Sequence, residues 1–69
     1  MLRSFVRNTK RLMREQKRSV NMTADFAGIS RGHMSLLLRG ETVPNLITVA
    51  RIAHALGVEP SELLRATNS

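Results

Sequence analysis

Cysteine is absent from this chain, and its only aromatic residues are two phenylalanines. Without cysteine, neither a disulfide framework nor a cysteine-ligated zinc site can hold the fold, which must depend on packing, and a reducing compartment is allowed. No apolar run approaches the roughly 18 residues of a membrane-spanning helix. The basic start leads into a polar segment, which does not predict a signal peptide. We therefore expect a cytoplasmic protein that does not enter a membrane.

Acidic residues are scarce, since 5 Asp and Glu face 11 Lys and Arg, for a net charge of +6. The excess lies in residues 1–18, which hold seven bases and one acid (7 − 1 = +6), whereas residues 19–69 sum to zero. Such a basic block attracts polyanions, either nucleic acid or an acidic membrane surface, although a solvated helix face without a partner has the same composition. The seven bases are Arg3, Arg7, Lys10, Arg11, Arg14, Lys17 and Arg18.

A chain of 69 residues has room for a single domain, which we place at residues 1–69. A domain this small buries only about 60% of its unfolded surface. Glycine and proline divide the chain into five segments with apolar residues at helical spacing, and none of them alternates as a strand does. The predicted helices are 2–17, 20–27, 30–39, 45–56 and a short one from residue 60. The expected buried stripe of the fourth is Leu46, Val49, Ile52, Ala53 and Leu56.

Only three residues, Gly28 to Ser30, join the second predicted helix to the third. Gly28 can adopt the left-handed turn conformation without steric cost, and Ser30 is a good N-cap for the next helix. A connection this short suits the crossed helices of a helix-turn-helix. We therefore predict a compact all-α fold with a helix-turn-helix at about residues 20–39.

The segment from Ala24 to Gly40 resembles the helix-turn-helix of the Cro and phage-repressor (Xre-like) family of transcriptional regulators. The resemblance lies in small Ala24, Gly28 at the turn, the Arg39-Gly40 pair and the Ala-Leu-Gly-Val string at 55–58, and it extends over residues 5–64. It implies a five-helix, lambda-repressor-like domain of bacterial or phage origin. Such a regulator acts at the nucleoid and binds double-stranded DNA as a homodimer, with the helix at 30–39 in the major groove.

The resemblance also implies which residues contact DNA. The base-reading positions of the family hold Arg31, Gly32, Ser35 and Leu36. Among these, the Arg31 guanidinium is suited to bond both acceptors of a guanine. The alternatives for Arg31 are a phosphate contact or a solvated side chain. The phosphate-contacting positions hold Ser30, Arg39, Thr42 and Asn45, and the basic block adds Arg7 and Lys10.

The chain departs from the family pattern at several of these positions. Val20 stands where a phosphate-binding glutamine is usual, Thr23 where a core leucine is common, and Arg18 where an apolar residue usually precedes the cap. In the loop after Gly40, Glu41 and Val43 replace basic residues, which weakens the attraction of phosphate on that side.

Leu36 and Leu38 are apolar on a helix face that is expected to be polar. Leu36 can contact a thymine methyl group. The alternative is that both leucines bind a protein partner, as in an antitoxin or adaptor module that uses the same fold. Dimerisation is expected around Val58, Leu63 and Leu64, although a C-terminal leucine pair can equally close the monomer's own core.

The sequence offers no convincing catalytic set or metal site. Its two histidines, His33 and His54, fall on different predicted helices, and serine, histidine and acidic residues lack a spacing typical of a nucleophile or a metal site. We therefore predict a binding protein rather than an enzyme, with no metal or cofactor.

Overall fold

A computed structural model describes residues 2–66 of the chain. Within this range it has no strand and five helices: α1 (Leu2–Glu15), α2 (Val20–Ala27), α3 (Arg31–Leu38), α4 (Leu46–Ala55) and α5 (Pro60–Leu64). The predicted all-α, five-helix fold is confirmed, and α2, the turn and α3 form the predicted helix-turn-helix. Among the described residues, no helix is both long and apolar enough to cross a membrane.

Side-chain caps begin three of the helices. Ser19 Oγ accepts a hydrogen bond from the Met22 amide at 3.1 Å, and Ser30 Oγ accepts one from the His33 amide at 3.0 Å. Asn45 Oδ1 accepts from the Thr48 amide at 2.8 Å. Each cap satisfies an N–H group that has no partner inside its helix, which explains why α2, α3 and α4 begin where the sequence predicts.

The first helix ends at Glu15, two residues earlier than predicted. Lys17 adopts a left-handed conformation with φ +56°, and the Arg18 amide donates to the Met13 carbonyl at 2.8 Å. The left-handed residue that ends a helix in this way is usually glycine. The sequence therefore did not indicate that the helix would end before Lys17.

Five helices share one core of buried apolar side chains. Helix α2 packs against α3 and α4, α1 packs against α3 and α5, and α4 packs against α5. The core residues are Phe5, Leu12, Met13, Ala24, Ala27, Met34, Leu37, Leu38, Val49, Ile52, Ala53, Leu56 and Leu63. Because α1 packs against α3 and α4 packs against α2, the helix-turn-helix is held from two sides.

Polar side chains of α1 and of the link after it bind the ends of α5 and α4. The buried Asn8 donates through Nδ2 to the carbonyls of Leu63 at 3.0 Å and Arg65 at 2.8 Å. Gln16 Nε2 donates to the Leu56 carbonyl at 2.7 Å, and Arg18 Nη1 donates to the Ala55 carbonyl at 2.8 Å. These donors satisfy carbonyls that a helix leaves without partners at its C-terminus. They fix α1 relative to the C-terminal half of the fold.

The prediction for Leu46 was wrong. It was expected in the buried stripe of α4 but is 79% exposed, because it is the first residue of the helix and nothing covers it. For Leu63 the sequence left two roles open, a dimer interface or the monomer's own core. It is 0% exposed and belongs to the core.

Candidate nucleic-acid interface

Helix α3 is fixed to the core along one face and open along the other. Met34, Leu37 and Leu38 are buried. On the opposite face Arg31, Gly32 and Leu36 are exposed and Ser35 is half-buried. The four residues predicted to read bases therefore remain accessible on one short helix of a size that the major groove admits.

Leu38 does not belong to that open face. It is only 6% exposed and is part of the core, whereas Leu36 is 37% exposed. The alternative that both leucines bind a protein partner therefore does not hold for Leu38, because this side chain belongs to the core. Of these two leucines, only Leu36 is accessible on the open face.

Arg31, the strongest candidate base reader, is held by a carboxylate. Its Nη2 lies 2.9 Å from Asp25 Oδ2 and its Nε lies 3.3 Å from Asp25 Oδ1. Both side chains are more than half exposed. The hydrogen bond from Arg31 is the main cause that lowers the pKa of Asp25, and the same bond raises the pKa of Arg31. The sequence analysis missed Asp25, because the turn rather than the sequence spacing brings the two residues together.

The tight turn before α3 depends on Gly28. Its φ is +72°, a left-handed conformation that glycine adopts without strain. A Cβ at this position would also lie 3.2 Å from Arg51 Nη1 on α4. The backbone conformation is therefore what requires glycine at the turn, because the tip of the exposed Arg51 side chain can move away.

The predicted phosphate contacts lie in two places. Ser30 and Asn45 are exposed N-caps, of α3 and α4, where partially positive amide groups favour an anion. Thr42 lies half-buried in the loop between these helices. Arg7, Lys10 and Arg39 lie together elsewhere, in a groove between α1 and the end of α3.

This groove, which we call the basic groove, is open and has a volume of about 530 Å³. Its apolar lining comes from Leu2, Val6 and Leu38, and its bases are Arg3, Arg7, Lys10, Arg14 and Arg39. Lys10, Arg14 and Arg39 also line an adjoining depression that reaches Val20 and Ser35. The positive charge of α1 therefore continues to the open face of α3. Arg3 and Arg14 were counted in the basic block but not among the predicted phosphate contacts, although both continue the four- and three-residue spacing of Arg7 and Lys10.

Apolar side chains are exposed on a further surface that the sequence analysis had not identified. Leu46 and Ile47 in the first turn of α4 are 79% and 67% exposed, and Val43 in the preceding loop is 67% exposed. The predicted dimer residues Val58 and Leu64 are partly buried against the monomer's core. The most accessible apolar surface of the C-terminal half thus lies at the start of α4.

Comparison with known proteins agrees with this geometry. The helix-turn-helix family HTH_3 matches residues 10–63. The chain belongs to this family. Its structure is similar to that of the restriction-modification controller protein C.AhdI from Aeromonas hydrophila, with a TM-score of 0.85 and 27% sequence identity over 90% of this chain and 94% of that one. No curated protein matches the chain significantly. The prediction of a helix-turn-helix DNA-binding regulator is confirmed.

Proposed function

We propose that this member of the helix-turn-helix family is a sequence-specific regulator of transcription that acts in the bacterial cytoplasm, on DNA of the nucleoid. In this proposal α3 enters the major groove, where Arg31, Gly32, Ser35 and Leu36 contact base edges. The observation that carries it is the continuity between the open face of α3 and the basic groove. The likeness to a restriction-modification controller supports a regulatory role.

The phosphate contacts divide between the two positive regions. Ser30, Thr42 and Asn45 lie at or near the starts of α3 and α4, where helix N-termini suit phosphate oxygens. Arg7, Lys10 and Arg39 bring positive charge along the basic groove. Contacts with the phosphate backbone fix the register of the protein on the duplex, whereas the residues of α3 select which base sequence is bound.

The test of DNA reading is a selection from a library of random duplexes at two salt concentrations. We expect a two-fold symmetric site whose half-sites lie about one helical turn apart, roughly 34–36 Å. Binding that shows no sequence preference and disappears at the higher salt concentration would contradict the proposal and leave only the attraction of the basic block.

We further propose that two copies associate through the exposed surface of Val43, Leu46 and Ile47. These side chains lie in the part of the chain, residues 19–69, whose charges sum to zero, so two copies can approach there without the repulsion of the +6 block. Burial of such apolar side chains favours association. This surface takes the place of Leu63, which is buried in the core, whereas Val58 and Leu64 remain separate candidate dimer residues.

The test of dimerisation compares wild-type protein with a Leu46→Ser, Ile47→Ser double variant by sedimentation velocity. We expect a dimer for the wild type and a monomer for the double variant. Met22→Ser, which alters another exposed apolar side chain on α2, is the control and is expected to remain dimeric. A wild-type monomer, or a double variant that stays dimeric, would exclude this interface.

A further inference from the structure

We propose that Asp25 is a positioning residue that orients the Arg31 guanidinium for base reading and reduces its attraction to phosphates. The inference rests on the proposed function, because it requires Arg31 to face a base edge. It assigns a part in DNA recognition to an acidic residue of α2 that lies outside the recognition helix.

The geometry of the pair leaves one edge of the guanidinium available. The Asp25 carboxylate accepts from Nε at 3.3 Å and from Nη2 at 2.9 Å, so it occupies the side edge of the Arg31 fork. The end edge, formed by Nη1 and the second hydrogen of Nη2, still points two donors away from the carboxylate. Two parallel donors are what the O6 and N7 acceptors of guanine require.

The turn between α2 and α3 fixes the backbone at both Asp25 and Arg31. Asp25 lies in the last turn of α2, and its carbonyl accepts from the Gly28 amide at 3.2 Å. Arg31 is the first residue of α3, directly after the Ser30 cap. Two contacts to a carboxylate held this way restrict the plane of the guanidinium before DNA arrives, which lowers the ordering cost of a bidentate contact.

The pair is poorly placed to serve stability. Both side chains are more than half exposed, and exposed ion pairs contribute little to folding. The Asp25 carboxylate is charged at neutral pH, because the ordinary pKa of an aspartate lies far below 7 and the hydrogen bond from Arg31 lowers it further. A negative charge at the DNA-facing end of α3 also opposes contacts with phosphates, so Arg31 gains more from a base edge than from the backbone.

The chain offers a matched control in a second arginine–carboxylate pair. Arg39 Nε lies 2.9 Å from Glu41 Oε2, and both side chains are also more than half exposed. Glu41→Gln removes the same charge as Asp25→Asn, but from beside an arginine that is proposed to contact phosphate. The two variants therefore separate a general charge effect from the orientation of Arg31.

The experiment measures binding to the selected site and to the same site altered at the base pair that Arg31 contacts. For Asp25→Asn we expect the preference between the two duplexes to fall about three- to tenfold, part of the discrimination that a bidentate contact gives. Affinity for unrelated duplexes is expected to rise. Asp25→Glu, which keeps the carboxylate, should retain part of the preference. Glu41→Gln should raise affinity for all duplexes alike, with the preference unchanged.

The same substitution in an Arg31→Ala background provides the decisive comparison. Without Arg31, Asp25→Asn should cause no further loss of preference, because the carboxylate acts only through the arginine. An unchanged preference in Asp25→Asn, or an equal loss with and without Arg31, would overturn the inference while the selected site itself upholds the proposed function. Failure of the wild type to select any site would overturn both. Circular dichroism confirms that each variant is folded.

Discussion

Helices α1 and α3 both pack one face against the core and expose the other, but they present positive charge in different ways. In α1, Arg3, Lys10 and Arg14 line an open groove with an apolar floor. At the two ends of α3, Arg31 and Arg39 each lie against a carboxylate, of Asp25 and Glu41 respectively. The excess of positive charge is thus concentrated in α1, whereas the arginines at the two ends of α3 are balanced by carboxylates.

This difference separates two tasks in DNA recognition. Attraction by exposed bases acts on any phosphate and depends strongly on salt. Discrimination requires donors held in a defined orientation at a base edge. A recognition helix with unpaired arginines would bind all sequences more tightly, which would reduce the advantage of the correct site. The following predictions test whether the two helices are distinct in this sense.

The largest effect is expected for Leu38→Ala, which removes a side chain of the core. A buried leucine of this kind contributes about 2–5 kcal/mol to the free energy of unfolding, and each kcal/mol lowers the Tm by roughly 4–8 °C in a domain of this size. Leu36→Ala, on the open face, should change stability by less than about 1 kcal/mol. Thermal and urea unfolding followed by circular dichroism measures both. Equal losses would mean that α3 is not anchored along one face.

The next largest effect is expected for Arg31→Ala. Preference at one base pair of each half-site should fall roughly fivefold to a hundredfold, since a bidentate contact to guanine is lost. Duplexes that differ at single base pairs, measured against the selected site, reveal the position. Arg39→Ala is the control and should weaken all duplexes alike. An equal loss of affinity for all duplexes in Arg31→Ala would show that Arg31 contacts phosphate. Its role would then not differ from that of the bases in α1.

The smallest effect is expected for a Lys10→Ala, Arg14→Ala double variant, which removes two bases of the basic groove. The slope of log Kobs against log salt is negative, and each lost phosphate contact makes it less steep by about 0.9, so the double variant should have a slope less steep by about 1.8. The preference for the selected site should stay the same.

Arg11→Ala, Lys17→Ala is the matched double control, because it removes the same charge from exposed positions outside the groove. Its slope should change less. Equal slopes for the two double variants would show that net charge alone, and not the basic groove, attracts DNA.

The helices and the turn could be predicted because their signals are local. Ser19, Ser30 and Asn45 cap helices where the sequence placed them, and Gly28 makes the turn. The burial or exposure of individual leucines could not be predicted from local signals. Periodicity gives the direction in which Leu38, Leu46 and Leu63 point relative to their own helices, but burial depends on which other helix lies opposite.

Only part of the candidate interface could be predicted, because only that part follows from the pattern of a single helix. The exposed face of Arg31, Gly32 and Leu36 follows from the period of α3. The basic groove joins α1 to the end of α3, and the Asp25–Arg31 pair joins the end of α2 to the start of α3. Neither grouping corresponds to a local sequence pattern, because each depends on how helices cross.

The sequence by itself determined the five helices, the helix-turn-helix and the concentration of positive charge in residues 1–18. Caps, glycine conformation and charge are properties of residues and their near neighbours. Only the tertiary structure decided that Leu38 and Leu63 are covered, that Val43, Leu46 and Ile47 are exposed, and that the charge of α1 continues to α3. Burial and the meeting of distant side chains are set by packing between helices, which no short segment specifies alone.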